Sequence, residues 1–178
     1  MNQASSGDAE PATGETRLEI YTDGSSLGNP GPSGWGFVAV LLDEGGNVVE
    51  EAERSASGSK ITTNNRAELA AAIAAMGYAN KAHPGTPVTI LSDSQYLVKG
   101  FTEWLPGWKA RGWRNSSGKA VENQDLWERL ESAAEGQDVS WRWVEAHRGH
   151  AYNERADALA RTAAERARPS GFAKRSAA

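Results

Sequence analysis

Hydrophobic and polar residues alternate along the first third of the chain in the way that β-strands require. The pattern predicts strands over Leu18–Asp23, Gly34–Leu42 and Asn47–Arg54, with Gly45-Gly46 as the turn between the second and the third. Short connections of this kind join neighbouring antiparallel strands. The sequence therefore predicts an antiparallel meander of three strands.

The rest of the chain mixes helical and strand-like segments. Thr63 is a predicted N-cap, and the apolar residues Leu69, Ala72, Ile73 and Met76 follow it at helical spacing. Further helices are predicted over Gln95–Gly100, Phe101–Arg111, Asn123–Ala134 and Tyr152–Arg168, and further strands over Val88–Leu91 and Val139–Val144. A meander followed by alternating helices and strands is typical of an α/β fold, in which helices flank a mixed sheet.

The two ends of the chain have little to bury. We expect residues 1–16 and 169–178 to be disordered extensions of one domain that spans residues 17–168. The chain has no cysteine, which excludes a disulfide framework and a thiolate zinc site and fits a reducing cytosol. No apolar run approaches the roughly 18 residues of a membrane span, and the acidic N-terminus is unlike a signal peptide. We expect a cytoplasmic protein without a membrane segment, and a monomer as the simplest state.

The net charge of −4 is unevenly distributed. The segment from Ser94 to Val121 carries five cations against the single acid Glu103: Lys99, Lys109, Arg111, Arg114 and Lys119. A locally basic surface on an acidic protein can bind a phosphate backbone. The alternative is an ordinary solvated surface of helix and loop charges.

Four carboxylates are the candidate catalytic residues. Asp23 and Asp93 follow apolar, strand-like runs, whereas Glu68 and Asp157 lie on helical segments. Four such groups brought together would repel one another unless divalent cations neutralised them, and hard oxygen ligands suit Mg²⁺ or Mn²⁺. A pair of these ions beside a phosphate is suited to cutting phosphodiesters.

Each carboxylate also has an ordinary structural explanation. An Asp after a strand is often a turn or cap residue, and a Glu near a helix start can serve a capping box or the helix dipole. Asp157 is four residues before Arg161, the spacing of a common surface ion pair. The metal-site hypothesis therefore depends on the four positions taken together.

These positions lie in five blocks that resemble type 1 ribonuclease H of the bacterial kind. The blocks, in family order, are Thr22-Asp23-Gly24-Ser25, Leu27-Gly28-Asn29-Pro30-Gly31-Pro32, Thr62-Thr63-Asn64-Asn65-Arg66-Ala67-Glu68-Leu69, Ser92-Asp93-Ser94-Gln95-Tyr96, and Trp143-Val144 with His147-Arg148-Gly149-His150 and Asn153-Glu154-Arg155-Ala156-Asp157. The resemblance runs from about Arg17 to about Arg168. It implies the ribonuclease H-like fold, with a five-stranded mixed sheet.

The resemblance implies an endonuclease that cuts the RNA strand of RNA/DNA hybrids with two Mg²⁺ ions, for which Mn²⁺ can substitute, leaving 5′-phosphate and 3′-hydroxyl ends. Asp23, Glu68, Asp93 and Asp157 are the implied metal ligands. His147 matches a mobile histidine that moves protons or helps to release product, work that suits an imidazole. Its alternative is an ordinary surface-loop histidine.

The resemblance also implies a set of substrate contacts. Asn29, Asn64, Asn65 and Gln95 match positions that face the minor groove, Thr63 and Asn123 match a phosphate pocket, and Trp104 and Trp108 match aromatics under the DNA backbone. Lys109 and Arg111 belong to a basic protrusion, here called the handle, at about residues 101–122. Packing in the core is the alternative for the two tryptophans. We assign Trp35, Trp141 and Trp143 to the core or its edge.

Two departures from the family pattern remove positive charge. Ala110 interrupts the basic run of the handle, and Ile61 stands where an arginine often supports the phosphate pocket. We expect weaker and more salt-sensitive hybrid binding than in a strongly basic relative. Alternative hypotheses are a hybrid-binding module without activity, another nuclease or strand-transfer enzyme on the same fold, and a domain cut from a polyprotein.

Overall fold

Five strands form one mixed sheet in the computed structural model, which describes residues 14–58 and 61–169. The strands are β1 (Arg17–Ser26), β2 (Ser33–Leu42), β3 (Val48–Ser57), β4 (Val88–Ser92) and β5 (Val139–Trp143), in the spatial order β3-β2-β1-β4-β5. The first three are antiparallel, and β1, β4 and β5 are parallel. This confirms the predicted fold. Residues 1–13 and 170–178 of the two predicted tails lie outside the described residues.

Five α-helices accompany the sheet in the described part of the chain: α1 (Asn64–Ala82), α2 (Gln95–Lys99), α3 (Leu105–Ala110), α4 (Gln124–Ala134) and α5 (Ala151–Arg166). Thr63 caps α1 as predicted, because its side chain accepts a hydrogen bond from the Arg66 N–H at 3.3 Å. A π-helical turn, Gly100–Trp104, joins α2 to α3 without a break. The two helices predicted here therefore form one continuous helical run.

The helices cover both faces of the sheet. Residues of α1, α2 and α4 pack with Leu18, Ile20 and Ile90 in the larger core, whereas Ala156 of α5 packs with Val38 and Val40 of β2. Each strand alternates its side chains between the two faces, so one strand supplies both cores. None of the helices in residues 14–58 and 61–169 has both the length and the hydrophobicity that a membrane-spanning segment needs.

The tryptophans show where burial departs from the prediction. Trp35 and Trp141 are partly buried against the larger core, as expected, but Trp143 is 46% exposed, so of its two assigned positions the core is wrong and only the edge fits. Trp143 lies on the edge strand β5, and its indole N–H donates to the Asp93 carbonyl at 3.1 Å. The central aromatic is instead Trp127, which is fully buried. A Cβ at Gly100 would lie 2.2 Å from its ring, so this contact requires glycine.

Candidate active site

The site opens where the parallel strands β1 and β4 stop pairing. Asp23 was predicted to end its strand, but β1 continues to Ser26 because its pairing with β2 extends that far. On the other side, the pairing of β1 with β4 ends at Tyr21 and Leu91. Asp23 and Asp93 therefore lie just beyond the last paired residues of two neighbouring parallel strands. Openings of this kind are the usual ligand sites of α/β sheets.

Gly24 brings the third carboxylate to this opening. A Cβ on Gly24 would lie 2.2 Å from the Ala67 carbonyl carbon and 2.3 Å from the Glu68 nitrogen. Since backbone atoms cannot move aside as a flexible side chain can, only glycine lets the start of α1 lie so close to β1. The close approach positions Glu68, five residues into the helix, beside Asp23.

Asp23, Glu68 and Asp93 form a compact cluster. Each offers a carboxylate oxygen, and these oxygens lie within 4.8 Å of one another. Asp23 and Glu68 are only 6% and 8% exposed, and Glu68 Oε2 has no hydrogen-bond partner among the described residues. Buried carboxylates without a neighbouring cation are costly. Their oxygen donor set fits Mg²⁺ or Mn²⁺.

The electrostatics of the cluster favour such an occupant. Burial, together with the charge of Asp93, raises the pKa of Asp23 to about 7. Burial and the neighbouring Asp23 raise the pKa of Glu68 well above its usual value, and burial also raises the pKa of Asp93. Without a cation the cluster therefore retains protons near neutral pH. A divalent cation would displace them, which makes its binding pH-dependent.

Asp157 lies beside the cluster rather than within it. It is on α5, and its carboxylate forms an ion pair with Arg161 one turn later, as its structural alternative anticipated. Its charge nevertheless contributes to the raised pKa values of Asp23 and Asp93. The structure thus brings three of the four predicted carboxylates together and places the fourth next to them.

Asn153 is a candidate site residue that the sequence analysis did not single out. Its side chain is 2% exposed, and its Nδ2 donates to Asp93 Oδ2 at 3.5 Å. Its Oδ1 has no hydrogen-bond partner among the described residues. The signal was present in the sequence, since Asn153 precedes Asp157 by four residues and shares its helix face.

His147 lies in the loop between β5 and α5, where it is exposed and has a positive φ of 57°. In its protonated form His147 is among the influences that lower the pKa of Asp93. An exposed imidazole that acts electrostatically on a site carboxylate is a candidate for exchanging protons with solvent.

The predicted minor-groove residues are all exposed: Asn29, Asn64, Asn65 and Gln95. Two of them are directly connected, because the Asn64 N–H donates to Asn29 Oδ1 at 3.1 Å. Asn64 Oδ1 in turn accepts from the Ser26 N–H at 3.0 Å. Asn65 and Gln95 lie at the N-terminal ends of α1 and α2. Asn64 and Asn65 therefore lie on the helix that carries Glu68, and Gln95 follows Asp93 by two residues.

Asn123, one of the two predicted phosphate-pocket residues, is held from both sides. Its Oδ1 accepts from Arg66 Nη1 at 3.2 Å, and its Nδ2 donates to the Tyr96 hydroxyl at 3.0 Å. Arg66 also forms a bidentate pair with Asp125, at 3.0 and 2.8 Å. The backbone N–H of Arg66 meets Thr63, so this arginine links the two predicted pocket residues. Sequence analysis did not assign it a role.

The two handle tryptophans differ in their exposure. Trp108 packs edge-on against the buried Trp127 with ring centroids 5.4 Å apart, whereas Trp104 is 39% exposed. The ring centroids of Trp104 and Trp108 are 5.9 Å apart. An exposed aromatic supported by a buried one is a rigid surface on which a sugar or a base can stack.

The two predicted cations of the handle differ in their surroundings. Lys109 Nζ lies 2.8 Å from Glu131 Oε2 of α4, so an acidic residue already neutralises it. Arg111 instead donates from Nε to the Arg114 carbonyl at 3.1 Å. Ile61, where an arginine was the family expectation, is 71% exposed.

Comparison with known proteins identifies relatives along nearly the whole chain. The family model described as RNase H matches residues 15–165. Ribonuclease HI of Caulobacter vibrioides is 46% identical over 153 residues, which is 86% of this chain and 96% of that enzyme. The crystal structure of LC9-RNase H1, a type 1 RNase H with the type 2 active-site motif, is 37% identical, with a TM-score of 0.76 over 88% of this chain and 76% of that one. LC11-RNase H1, crystallised with an RNA/DNA hybrid, is 26% identical, with a TM-score of 0.61 over 85% and 99%.

Proposed function

This chain belongs to the ribonuclease H family of metal-dependent nucleases, in its type 1 branch, and we propose that it hydrolyses the RNA strand of RNA/DNA hybrids. One observation carries the proposal: Asp23, Glu68 and Asp93 converge in a buried cluster where β1 and β4 part. The solved complex of LC11-RNase H1 with an RNA/DNA hybrid supports this substrate.

We propose that the cluster holds two Mg²⁺ ions during the reaction, with Mn²⁺ able to substitute. The unpartnered Glu68 Oε2 and the raised carboxylate pKa values fit a site for divalent cations. Asp23, Glu68 and Asp93 would supply the principal oxygens, and the adjacent Asp157 would complete the set. When bound, the two ions supply the Lewis acidity that activates a water and stabilises the leaving 3′ oxygen. The products would carry a 5′-phosphate and a 3′-hydroxyl.

The other residues of the site orient the carboxylates, transfer protons or contact the substrate. Asn153 fixes the orientation of Asp93 through its amide nitrogen. His147, exposed in the loop between β5 and α5, would exchange protons between the reacting oxygens and solvent. The amides of Asn29, Asn64, Asn65 and Gln95 are the groups that would read the 2′-hydroxyl of the RNA strand from the minor groove.

We propose that a second surface binds the DNA strand. Thr63 and Asn123 would hold a backbone phosphate, with Arg66 fixing the Asn123 amide. Trp104 and Trp108 would support the neighbouring sugars. The handle cations Lys109 and Arg111 would contact further phosphates.

A cleavage assay on four substrates tests the proposed function. One labelled sequence is presented with Mg²⁺ as an RNA/DNA hybrid, an RNA duplex, a DNA duplex and a single-stranded RNA. We expect cuts only in the RNA strand of the hybrid. If the hybrid is bound but stays uncut with both Mg²⁺ and Mn²⁺, the result would favour a binding module. Cuts in duplex DNA would favour another nuclease of this fold. The expected cytoplasmic location and monomeric state stay predictions, which cell fractionation and light scattering test.

A further inference from the structure

Lys109 lies in an acidic groove between the handle and α4. The groove has a volume of about 480 Å³, and its floor includes the stacked rings of Phe101 and Trp141, whose centroids are 4.3 Å apart. Three glutamates, all on α4 or directly after it, line the groove together with Lys109: Glu128, Glu131 and Glu135. A lysine side chain placed here is surrounded by negative charge, which holds its ammonium group toward α4.

Glu131 is the glutamate that Lys109 contacts directly, at 2.8 Å. The handle arginines are placed differently. Arg111 and Arg114 donate to the backbone carbonyls of Arg114 and Gly118, and in the part of the chain that the structure describes neither has a carboxylate within 4.0 Å. A backbone carbonyl orients a guanidinium without cancelling its charge, whereas a carboxylate cancels the charge of an ammonium.

We propose that Glu131 lowers the affinity of this enzyme for its substrate by competing with the nucleic-acid backbone for Lys109. The proposal rests on the proposed function, because it takes an RNA/DNA hybrid as the ligand of the handle. A phosphate that approaches Lys109 must displace Glu131 or share the ammonium with it. Either way the contact releases less than one full counterion, so Lys109 adds little to affinity or to its salt dependence.

The exposure of the pair keeps the effect moderate. The Lys109 and Glu131 side chains are 49% and 35% exposed, so solvent screens their attraction and a phosphate can replace the carboxylate. Removing the carboxylate should therefore tighten binding about two- to fivefold at low salt, the range of an exposed ion pair. Glu131 touches neither the carboxylate cluster nor the proposed minor-groove residues, so the cleavage rate on bound hybrid should not change.

Hybrid binding measured by fluorescence anisotropy tests the proposal. The full chain is titrated in EDTA, which prevents cleavage, at salt concentrations between about 50 and 200 mM. We expect Glu131→Gln to bind about two- to fivefold more tightly than the wild type at the lowest salt, and to steepen the plot of log affinity against log salt by up to about 0.9. Adding Lys109→Gln to Glu131→Gln should remove both gains.

Glu128→Gln is the matched control. Glu128 lines the same groove one turn earlier, but its carboxylate accepts from Gln124 at 3.1 Å rather than pairing with Lys109. The Glu128→Gln variant loses the same charge as Glu131→Gln, so any gain in affinity from net charge alone appears in both variants. A steeper salt dependence should appear only in Glu131→Gln. Equal slopes in the wild type, Glu131→Gln and Glu128→Gln would overturn the inference.

The same data separate failure of this inference from failure of the proposed function. A wild-type chain that binds and cuts the hybrid while Glu131→Gln changes nothing contradicts the inference alone. A wild-type chain that neither binds nor cuts the hybrid contradicts both. Melting temperatures of the variants, which we expect within a few degrees of the wild type, show that altered binding does not come from altered folding.

Discussion

The carboxylate cluster and the handle treat charge in opposite ways. At the cluster, three acids lie together in a largely buried opening, and within the described residues none of them forms an ion pair with a lysine or an arginine. At the handle, the cations are exposed, and the protein neutralises Lys109 with its own Glu131. The first arrangement stores repulsion that a metal ion relieves, and the second moderates attraction to a phosphate backbone. We therefore expect changes at the cluster to affect catalysis and changes at the handle to affect affinity.

The largest expected effect is at the cluster. Glu68→Gln keeps the shape of the side chain but removes a charge that the metal ions require, so we expect cleavage to fall at least about 1000-fold, or about 4 kcal/mol of transition-state stabilisation. The melting temperature without metal should rise at neutral pH, because a buried glutamine needs no proton, whereas Glu68 must take one up to stay buried beside Asp23. Asp138→Asn, at an exposed position before β5, is the control and should cut normally. A Glu68→Gln enzyme with substantial activity would remove Glu68 from the site.

The next largest effect is expected at Asn153, which supports the cluster. Asn153→Ala removes the amide that donates to Asp93 Oδ2, and we expect a loss of about 10- to 100-fold in activity or metal affinity, the usual effect of removing a group that orients a metal ligand. A purely structural role would lower the melting temperature without changing the Mg²⁺ concentration needed for half-maximal rate. That Mg²⁺ titration is therefore the deciding measurement.

The metal-free protein should also lose stability as the pH rises. The pKa of Asp23 in the folded state is raised to about 7 from an ordinary value of 3.8, so the folded state binds a proton that the unfolded state releases. The stability from this proton is fully present below about pH 4 and is lost as the pH rises through about 7, by roughly 4 kcal/mol. Urea unfolding in EDTA at a series of pH values measures it. Asp23→Asn should flatten the dependence, and an unchanged slope in that variant would contradict the assignment.

Asp157 should matter less than the three clustered acids. Its carboxylate is shared with Arg161 and lies outside the cluster, so we expect Asp157→Asn to lower the cleavage rate only about tenfold. Single-turnover rates of Asp157→Asn and Glu68→Gln at saturating Mg²⁺ give the comparison. Equal losses in the two variants would show that Asp157 is a full member of the site.

The smallest effects are expected at the handle. Arg111→Gln removes a cation without a carboxylate partner, and Lys109→Gln removes one that Glu131 already neutralises. We expect Arg111→Gln to weaken hybrid binding several-fold and Lys109→Gln less than about twofold, with single-turnover cleavage of bound hybrid unchanged in both. The reverse order would show that Lys109 is free to contact the substrate.

The sequence predicted the strands and the first helix because their causes are local, and it predicted the cluster from four carboxylate positions and their resemblance to a known family. Alternating strands, the Thr63 cap and the position of Asp93 after an apolar strand each depend on a few neighbouring residues. Gly24 was part of a recognised motif, but its physical role, allowing α1 to contact β1, became clear only from the packing.

Other features depend on partners that are distant in the sequence. The exposure of Trp143 follows from the edge position of β5, the burial of Trp127 from its contact with Gly100, and the neutralisation of Lys109 from a glutamate 22 residues later. A charge count along the handle cannot show which cation is already paired. Tertiary contacts of this kind decide affinity, and the sequence alone does not reveal them.

The most direct test of the account compares cleavage and binding in one variant. Asp23→Asn is mixed in excess with labelled RNA/DNA hybrid, and its single-turnover rate with Mg²⁺ is measured beside its affinity in EDTA. We expect the rate to fall at least about 1000-fold while the affinity stays within a few-fold of the wild type. A variant that still cuts at a substantial rate would contradict the assignment of catalysis to the carboxylate cluster.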